Sequence, residues 1–211
     1  YVKNFTNTTN YRITKMVNDA LGDRMKAYEN NFDYRICQNS PILARLDGKG
    51  FSKFTKGLAR PYDTRLSAMM VTIAEVLAEE TSAICAYTQS DEITIAWYNE
   101  VSGGETWFGG RIQKIASVLA SKASVYFNKL LPDYIPEKAG ETPVFDCRVF
   151  TCVNKEETTN CFLWRELDAT KNAISMAARC NFSHNELMNK NGKEMVEMMG
   201  KRGVNFYDLP V

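Results

Sequence analysis

The stretch Leu43-Ala44-Arg45-Leu46-Asp47-Gly48-Lys49-Gly50-Phe51 reads as a strand that ends on a carboxylate and runs into a glycine loop. From Ile42 the side chains alternate. Ile42, Ala44 and Leu46 fall on one face, and Leu43, Arg45 and Asp47 on the other. A cation and an anion two residues apart therefore point the same way at the strand end. Gly48 and Gly50 carry no Cβ, so the backbone there is open to close approach by a ligand.

A second acidic stretch, Gln89-Ser90-Asp91-Glu92, lies between two β-rich runs, 83–88 and 93–98. The pattern predicts a hairpin with acids at its tip. If that hairpin pairs beside the first strand, Asp47 and Asp91 meet. Two carboxylates at adjacent strand ends, with cations nearby, suit a pair of Mg²⁺ ions holding a nucleoside triphosphate.

Outward from these stretches, Arg60-Pro61-Tyr62-Asp63 breaks the chain, and Asp63 or Thr64 is placed to cap a helix striped by Leu66, Met69, Met70, Ile73 and Leu77. A second long helix is predicted over 106–131, with Ile112, Ile115, Leu119, Ala123 and Phe127 as its apolar stripe. Arg111 and Lys114, three apart within it, would share a face. Pro132 and Pro136 are expected to end it, and Val144 to Phe150 reads as another strand. The order β-α-β-β-α-β specifies an α+β fold of the ferredoxin-like, palm type. In that plan an antiparallel sheet carries two helices on one face, with its first and third strands side by side.

Three segments are expected: an N-terminal extension with a leading helix (1–40, helix over 13–28), a palm-like catalytic core (41–152) and a C-terminal helical appendage (153–211). In the appendage one helix should run from Glu156 to Cys180. A capping box at Ser183 to Glu186 should open a Met-rich helix reaching about Met199.

The 211 residues carry a net charge of +1, so any nucleic-acid surface must be a local patch. Six cysteines without a CxxC pair argue against zinc; three of them lie in apolar stretches and read as buried reduced thiols. The expected location is cytoplasmic, since neither a secretory signal nor an apolar run of membrane length is visible. Sequons at Asn4 and Asn7 read as chance matches without export. The one histidine, His184, sits in a helix cap, so the chemistry falls to metal and carboxylate. Singly, Asp47 reads equally as a turn residue, and Asp91 with Glu92 as a solvated hairpin tip. Their joint placement in the split βαβ plan favours a site.

Arg45-Leu46-Asp47-Gly48-Lys49-Gly50-Phe51, Arg60-Pro61-Tyr62-Asp63, Gln89-Ser90-Asp91-Glu92, Phe145-Asp146-Cys147-Arg148 and Trp164-Arg165-Glu166-Leu167-Asp168 together resemble the tRNA-histidine guanylyltransferase family of reverse (3′-to-5′) polymerases. The resemblance covers roughly residues 25–210. It implies that Asp47 and Asp91, with the Gly48 carbonyl, hold two Mg²⁺ ions, and that Glu92 supports them as the third catalytic acid. Lys49, Gly50, Phe51 and Ser52 would line the nucleotide loop, with Ser90 on a phosphate. Arg60 and Asp63 would lie near the activating nucleotide, Asp63 near its base. Arg111 and Lys114, with Arg45 and Arg148, would face the incoming triphosphate.

The implied substrates are ATP, GTP or another nucleoside triphosphate and the 5′ end of tRNA, acted on by a homotetramer or dimer of dimers with no membrane partner. The implied reaction activates a tRNA 5′-phosphate and then joins an incoming nucleotide to it. Where the eukaryotic members that add G to histidine tRNA carry His-Ile-Asn-Asn, this chain reads Thr170-Lys171-Asn172-Ala173. The resemblance thus leans towards template-dependent 5′-end repair, with histidine-specific addition as the alternative. A nucleotide cyclase and an RNA-binding module of the same topology are the competing classes. The cyclase would act on free triphosphate alone, and the module would place aromatics on the sheet face.

Overall fold

Among the described residues four strands form, β1 (Ile42–Gly48), β2 (Cys85–Gln89), β3 (Glu92–Trp97) and β4 (Phe145–Thr151), of which β3 and β4 are rich in β-branched and aromatic residues. The structure is a computed structural model that describes residues 11–98 and 106–209, with side chains from Ala20 onward. Every pairing is antiparallel and the order is β2-β3-β1-β4. The first and third strands are therefore central neighbours, as the split βαβ plan requires.

One face of this sheet is the main core. Ile42, Ala44 and Leu46 of β1 and Ile93, Ile95 and Trp97 of β3 lie in one apolar cluster with residues of α3 (Thr64–Thr81) and α4 (Ile112–Tyr134). The Asp63 carboxylate starts α3 by accepting from the Arg65 N–H. The α4 stripe Ile115, Leu119, Ala123, Phe127, Leu131 repeats every four residues, and none is more than 1% exposed. The glycine loop is pinned to this core by its own aromatics. In α2 (Phe51–Phe54), the Phe51 ring lies 5.2 Å from both Phe127 and Phe145. A Cβ on Gly48 would stand 2.3 Å from the Phe51 ring, and Gly50 turns the chain at φ +72°.

Two helix boundaries differ from the expectation. Residues Trp107–Gly110 form a 3₁₀ turn in which Phe108, Gly109 and Gly110 have positive φ, so α4 begins at Ile112 with Arg111 as its N-cap. The Gly110 carbonyl accepts from Ile36 N–H at 2.9 Å, which ties this kink to the chain ahead of β1. Arg111 and Lys114 thus stand at the N-cap and N3 positions of α4, in its first turn rather than within the helix. At the other end α4 passes through Pro132 to Tyr134. Proline removes only its own N–H, and Ile135 N–H still reaches the Leu131 carbonyl at 2.9 Å.

The appendage begins with α5 (Lys155–Asn181), capped by the Asn154 side chain. The single helix expected after Ser183 is two, α6 (His184–Leu187) and α7 (Gly192–Lys201). A second capping box explains the break. The Asn191 side chain accepts from Glu194 N–H, and Glu194 accepts from Asn191 N–H, which restarts the helix there. Ala173, Ala177, Ala178, Leu187, Met199 and Phe206 form a small second core, against which Tyr62 packs. The Tyr62 hydroxyl donates to the Ala173 carbonyl at 2.8 Å.

Residues 1–35 and 36–211 are separate compact units. The first contains α1 (Tyr11–Asn30), longer than the leading helix expected, with Leu21, Met25 and Tyr28 exposed. The side chains of Ile13, Met16 and Val17, and the positions Asn4 and Asn7, lie outside what is described. The six thiols are free, and none is fully buried, contrary to the expectation for three of them. Cys147 comes nearest, on the core face of β4, where burial pushes its pKa up to about 12. Among the described residues no helix is long and apolar enough to cross a membrane.

Candidate active site

The register of the sheet puts its charged residues on the face opposite α3 and α4, because directly paired residues share a face. One row across the strands is Gln89, Glu92, Asp47, Asp146. The next row is Tyr87, Thr94, Arg45, Arg148. Asp91 occupies the turn just before Glu92, and its carbonyl accepts from Gly48 N–H at 3.2 Å. Backbone thus joins Asp91 to Gly48, the residue after Asp47, at the ends of adjacent strands, and the Asp47 and Asp91 carboxylates lie within each other's electrostatic reach.

Both acids resist ionisation. Burial, then the fields of Asp146 and Glu92, raise the Asp47 pKa above its ordinary value, while Arg148 and Arg45 oppose the rise. Burial also raises Asp91; its own N–H and the Ser90 hydroxyl (3.1 Å) favour the anion, and Asp47 and Glu92 oppose it. Neighbouring carboxylates that burden one another in this way are relieved by a cation.

Glu92 differs from these two because its charge is already matched. Arg165 of α5 reaches it with a two-pronged contact, Nε to Oε1 at 2.7 Å and Nη2 to Oε2 at 2.9 Å. Arg45 Nε stands 3.8 Å from Oε2, and Gln89 Nε2 donates to Oε1 at 3.4 Å. The Trp164 ring lies beside both guanidinium groups, 5.4 Å from Arg45 and 4.5 Å from Arg165.

The remaining predicted residues fall into two groups. Lys49, Ser52, Arg60 and Arg148 are exposed. Phe51 is buried in the main core, so only its backbone faces the loop. Asp63 is fully engaged: Oδ1 accepts from Arg65 N–H and Nε, and Oδ2 from Ala59 N–H and Arg65 Nη2. These bonds, led by Arg65, hold its pKa down at about 2. Arg65 continues to Glu137 at 2.6 Å. Arg111 caps α4, and the Lys114 ammonium lies 4.8 Å from the Phe108 ring.

Two residues of this face had no assigned role in the sequence. Asp146 follows from strand alternation once β4 is registered against β1. Arg165 lies 73 residues from Glu92, and no local pattern connects them. Among the described residues no three His, Cys, Asp or Glu side chains gather as a metal cage. The donor set in question is two carboxylates and the Gly48 carbonyl.

Residues 22–153 match the family model described as tRNAHis guanylyltransferase. Uncharacterized protein R259 of Acanthamoeba polyphaga mimivirus is 32% identical over 209 residues, covering 89% of this chain and 72% of its own length. The tRNA(His) guanylyltransferase of Schizosaccharomyces pombe is 30% identical over 143 residues, 66% of this chain and 53% of that enzyme. The chain spans about half the length of that curated guanylyltransferase. A bacterial tRNA(His) guanylyltransferase (Thg1)-like protein in complex with ATP superposes with a TM-score of 0.84 at 39% identity, covering 90% of this chain and 82% of that one. Its counterpart in complex with GTP gives 0.78 at 36%, covering 90% and 79%.

Proposed function

Because the chain belongs to the tRNAHis guanylyltransferase family, we propose that it adds nucleotides to the 5′ end of tRNA in the 3′-to-5′ direction, each chosen by pairing with the opposite strand. The carrying observation is the Asp47–Asp91 pair beside the row of Arg45 and Arg148 on one sheet face. The tRNA 5′-monophosphate first attacks the α-phosphorus of ATP or GTP, forming a 5′–5′ phosphoanhydride at the tRNA 5′ phosphorus with loss of pyrophosphate. The 3′-hydroxyl of the incoming nucleotide then attacks that phosphorus, and the activating nucleoside monophosphate leaves.

Mg²⁺ fits the residues present. It is commonly held by one or two carboxylates together with substrate phosphates, and a cation would favour the ionised forms of Asp47 and Asp91, which burial and the fields of neighbouring carboxylates oppose. They and the Gly48 carbonyl would hold two ions, which supply charge neutralisation and in-line alignment at phosphorus. Arg45 and Arg148 bind the triphosphate of the incoming nucleotide, joined by Arg111 and Lys114. Lys49, Gly50 and Ser52 meet phosphate along the loop, as does Ser90 beside Asp91. Arg60 serves the activating nucleotide, and Asp63 holds the turn that carries Arg60.

Addition of G to histidine tRNA alone is the second reading, favoured by the guanylyltransferase activity for which the family and its relatives are named. Thr170 to Ala173 supports the first, since selecting one tRNA demands protein contacts to its distinguishing bases and copying demands only pairing. The deciding assay supplies tRNAs lacking one 5′ nucleotide, with each of the four bases opposite, plus ATP, all four nucleoside triphosphates and Mg²⁺. Incorporation of the complementary base on several tRNA species is expected. G alone, on histidine tRNA alone and whatever the opposing base, would overturn template dependence.

A further inference from the structure

Glu92 sits between two roles. It directly follows Asp91 in the chain and pairs with Asp47 across the sheet. Its two oxygens, however, are occupied by Arg165, a residue only 7% exposed. Arg165 also donates to Asp168 at 3.0 Å, so the guanidinium is fixed to its own helix as well as to the sheet. Burial works against its charge, and Glu92 followed by Asp168 more than restores it. A buried ion pair recovers little net stability, because desolvating both charges offsets their attraction. What it does supply is geometry: a planar fork against a planar carboxylate fixes distance and orientation together. The residues matched by the family model end at 153, short of this contact.

We propose that Arg165 is a positioning residue for the active site: through Glu92 it fixes the start of β3, and with it the Asp91 turn against the end of β1. The inference rests on the reading that Asp47 and Asp91 serve metal–nucleotide chemistry. Glu92 then acts as the link between α5 and the site, with each of its oxygens accepting from Arg165. Trp164, beside Arg165 and Arg45, extends the same clamp to the cation row. The appendage is thereby a working part of the catalytic unit.

The test compares Arg165→Met, Arg165→Lys, Glu92→Gln and the double variant Glu92→Gln/Arg165→Met in the full chain. One arm measures kcat and KM for GTP on 5′-triphosphorylated tRNA lacking one nucleotide. A second arm measures Mn²⁺ affinity by electron paramagnetic resonance with GTP present. Loss of a partner that orients metal ligands lowers metal affinity roughly 10–100-fold, and Arg165→Met should fall in that range. Its kcat should drop on a similar scale while KM for GTP changes less than about 3-fold. Arg165→Lys should recover part of both, and the double variant should be no worse than the worse single, since both act through one contact.

A merely structural Arg165 would lower the melting temperature yet leave kcat and Mn²⁺ affinity of the folded protein intact, which overturns the proposal. So would additive losses in the double variant. If Arg165→Met does not fold, Arg165→Lys decides on the same two readouts. A wild-type chain that binds Mn²⁺ and GTP but never extends RNA refutes the tRNA reading alone, and the Mn²⁺ arm still decides Arg165.

Discussion

On one face of the sheet Ile42, Ala44, Leu46, Ile93 and Ile95 lie against two amphipathic helices. On the other, Arg45, Asp47, Glu92 and Asp146 lie in two charged rows, with Arg165 and Trp164 of α5 reaching in. The same strands contribute to both faces, residue by alternate residue. The apolar face lowers its free energy by leaving water, at about 25 cal/mol per Å² buried. The charged face gains nothing of that kind, and its acids are held where burial and one another's fields disfavour them. Stability comes from one face, and the other spends part of it to hold charge in place.

The comparison breaks most sharply at Asp47. Asp47→Asn should reduce nucleotide addition by at least about 10²–10³-fold, the scale of losing one preorganised electrostatic group. Its stability should move the opposite way. The folded-state pKa is raised, so the ionised carboxylate destabilises the fold above that pKa and ceases to do so as pH falls through it. In EDTA at pH 7 the variant should melt at or above the wild-type temperature. A lower melting temperature together with retained activity would refute both halves.

Phe127→Ala is the matching change on the apolar face. Phe127 is fully buried and touches Phe51, Phe54 and Phe145. Truncation should cost about 3–5 kcal/mol in urea unfolding, from lost transfer energy and the cavity left behind. A loss below about 1 kcal/mol would mean that the aromatic cluster collapses around the gap.

The apolar face was legible in the sequence because its signal is local. Period-two alternation at Ile42–Asp47 and the helical stripe at Leu66–Leu77 each fix which side is buried within a few residues. Pairing of the two strand ends followed from element order. The failures are also physical. The left-handed turn at Phe108–Gly110 stops a helix whose apolar spacing continues through it, because the chain is held there by Ile36. The break before Gly192 was written in Asn191 and Glu194 but was masked by the Met-rich run on either side. Arg165 was visible as a residue and invisible as a partner of Glu92, since nothing short of the folded structure joins positions 73 apart.

Asp63 offers a smaller and pH-resolved contrast. Here a buried carboxylate is satisfied by Arg65 and two N–H groups, and its pKa falls from 3.8 to about 2. A depressed folded-state value means that its stabilisation is present above about pH 4 and is lost as pH falls towards 2. Allowing for the half-exposed Arg65, Asp63→Asn should cost about 1–2 kcal/mol at pH 7. The difference from wild type should vanish in acid. A pH-independent loss would show that the turn needs only the side chain's shape.

The smallest stability change is expected where the charges are most buried. Replacing the pair by Glu92→Leu with Arg165→Met removes two desolvated ions and keeps comparable volume under α5. Exchanges of this kind are often neutral or stabilising, because the attraction gained inside the protein scarcely exceeds the hydration given up. Glu92→Leu alone is different, since it takes from the buried Arg165 guanidinium its two-pronged partner and leaves it only the half-exposed Asp168, and should cost about 3 kcal/mol. The double variant should therefore unfold within about 1 kcal/mol of wild type, while its nucleotide addition stays as low as that of Arg165→Met. Restored stability without restored activity would separate what this ion pair does for the fold from what it does for the site. A double variant as unstable as Glu92→Leu would mean that the pair itself holds α5 to the sheet.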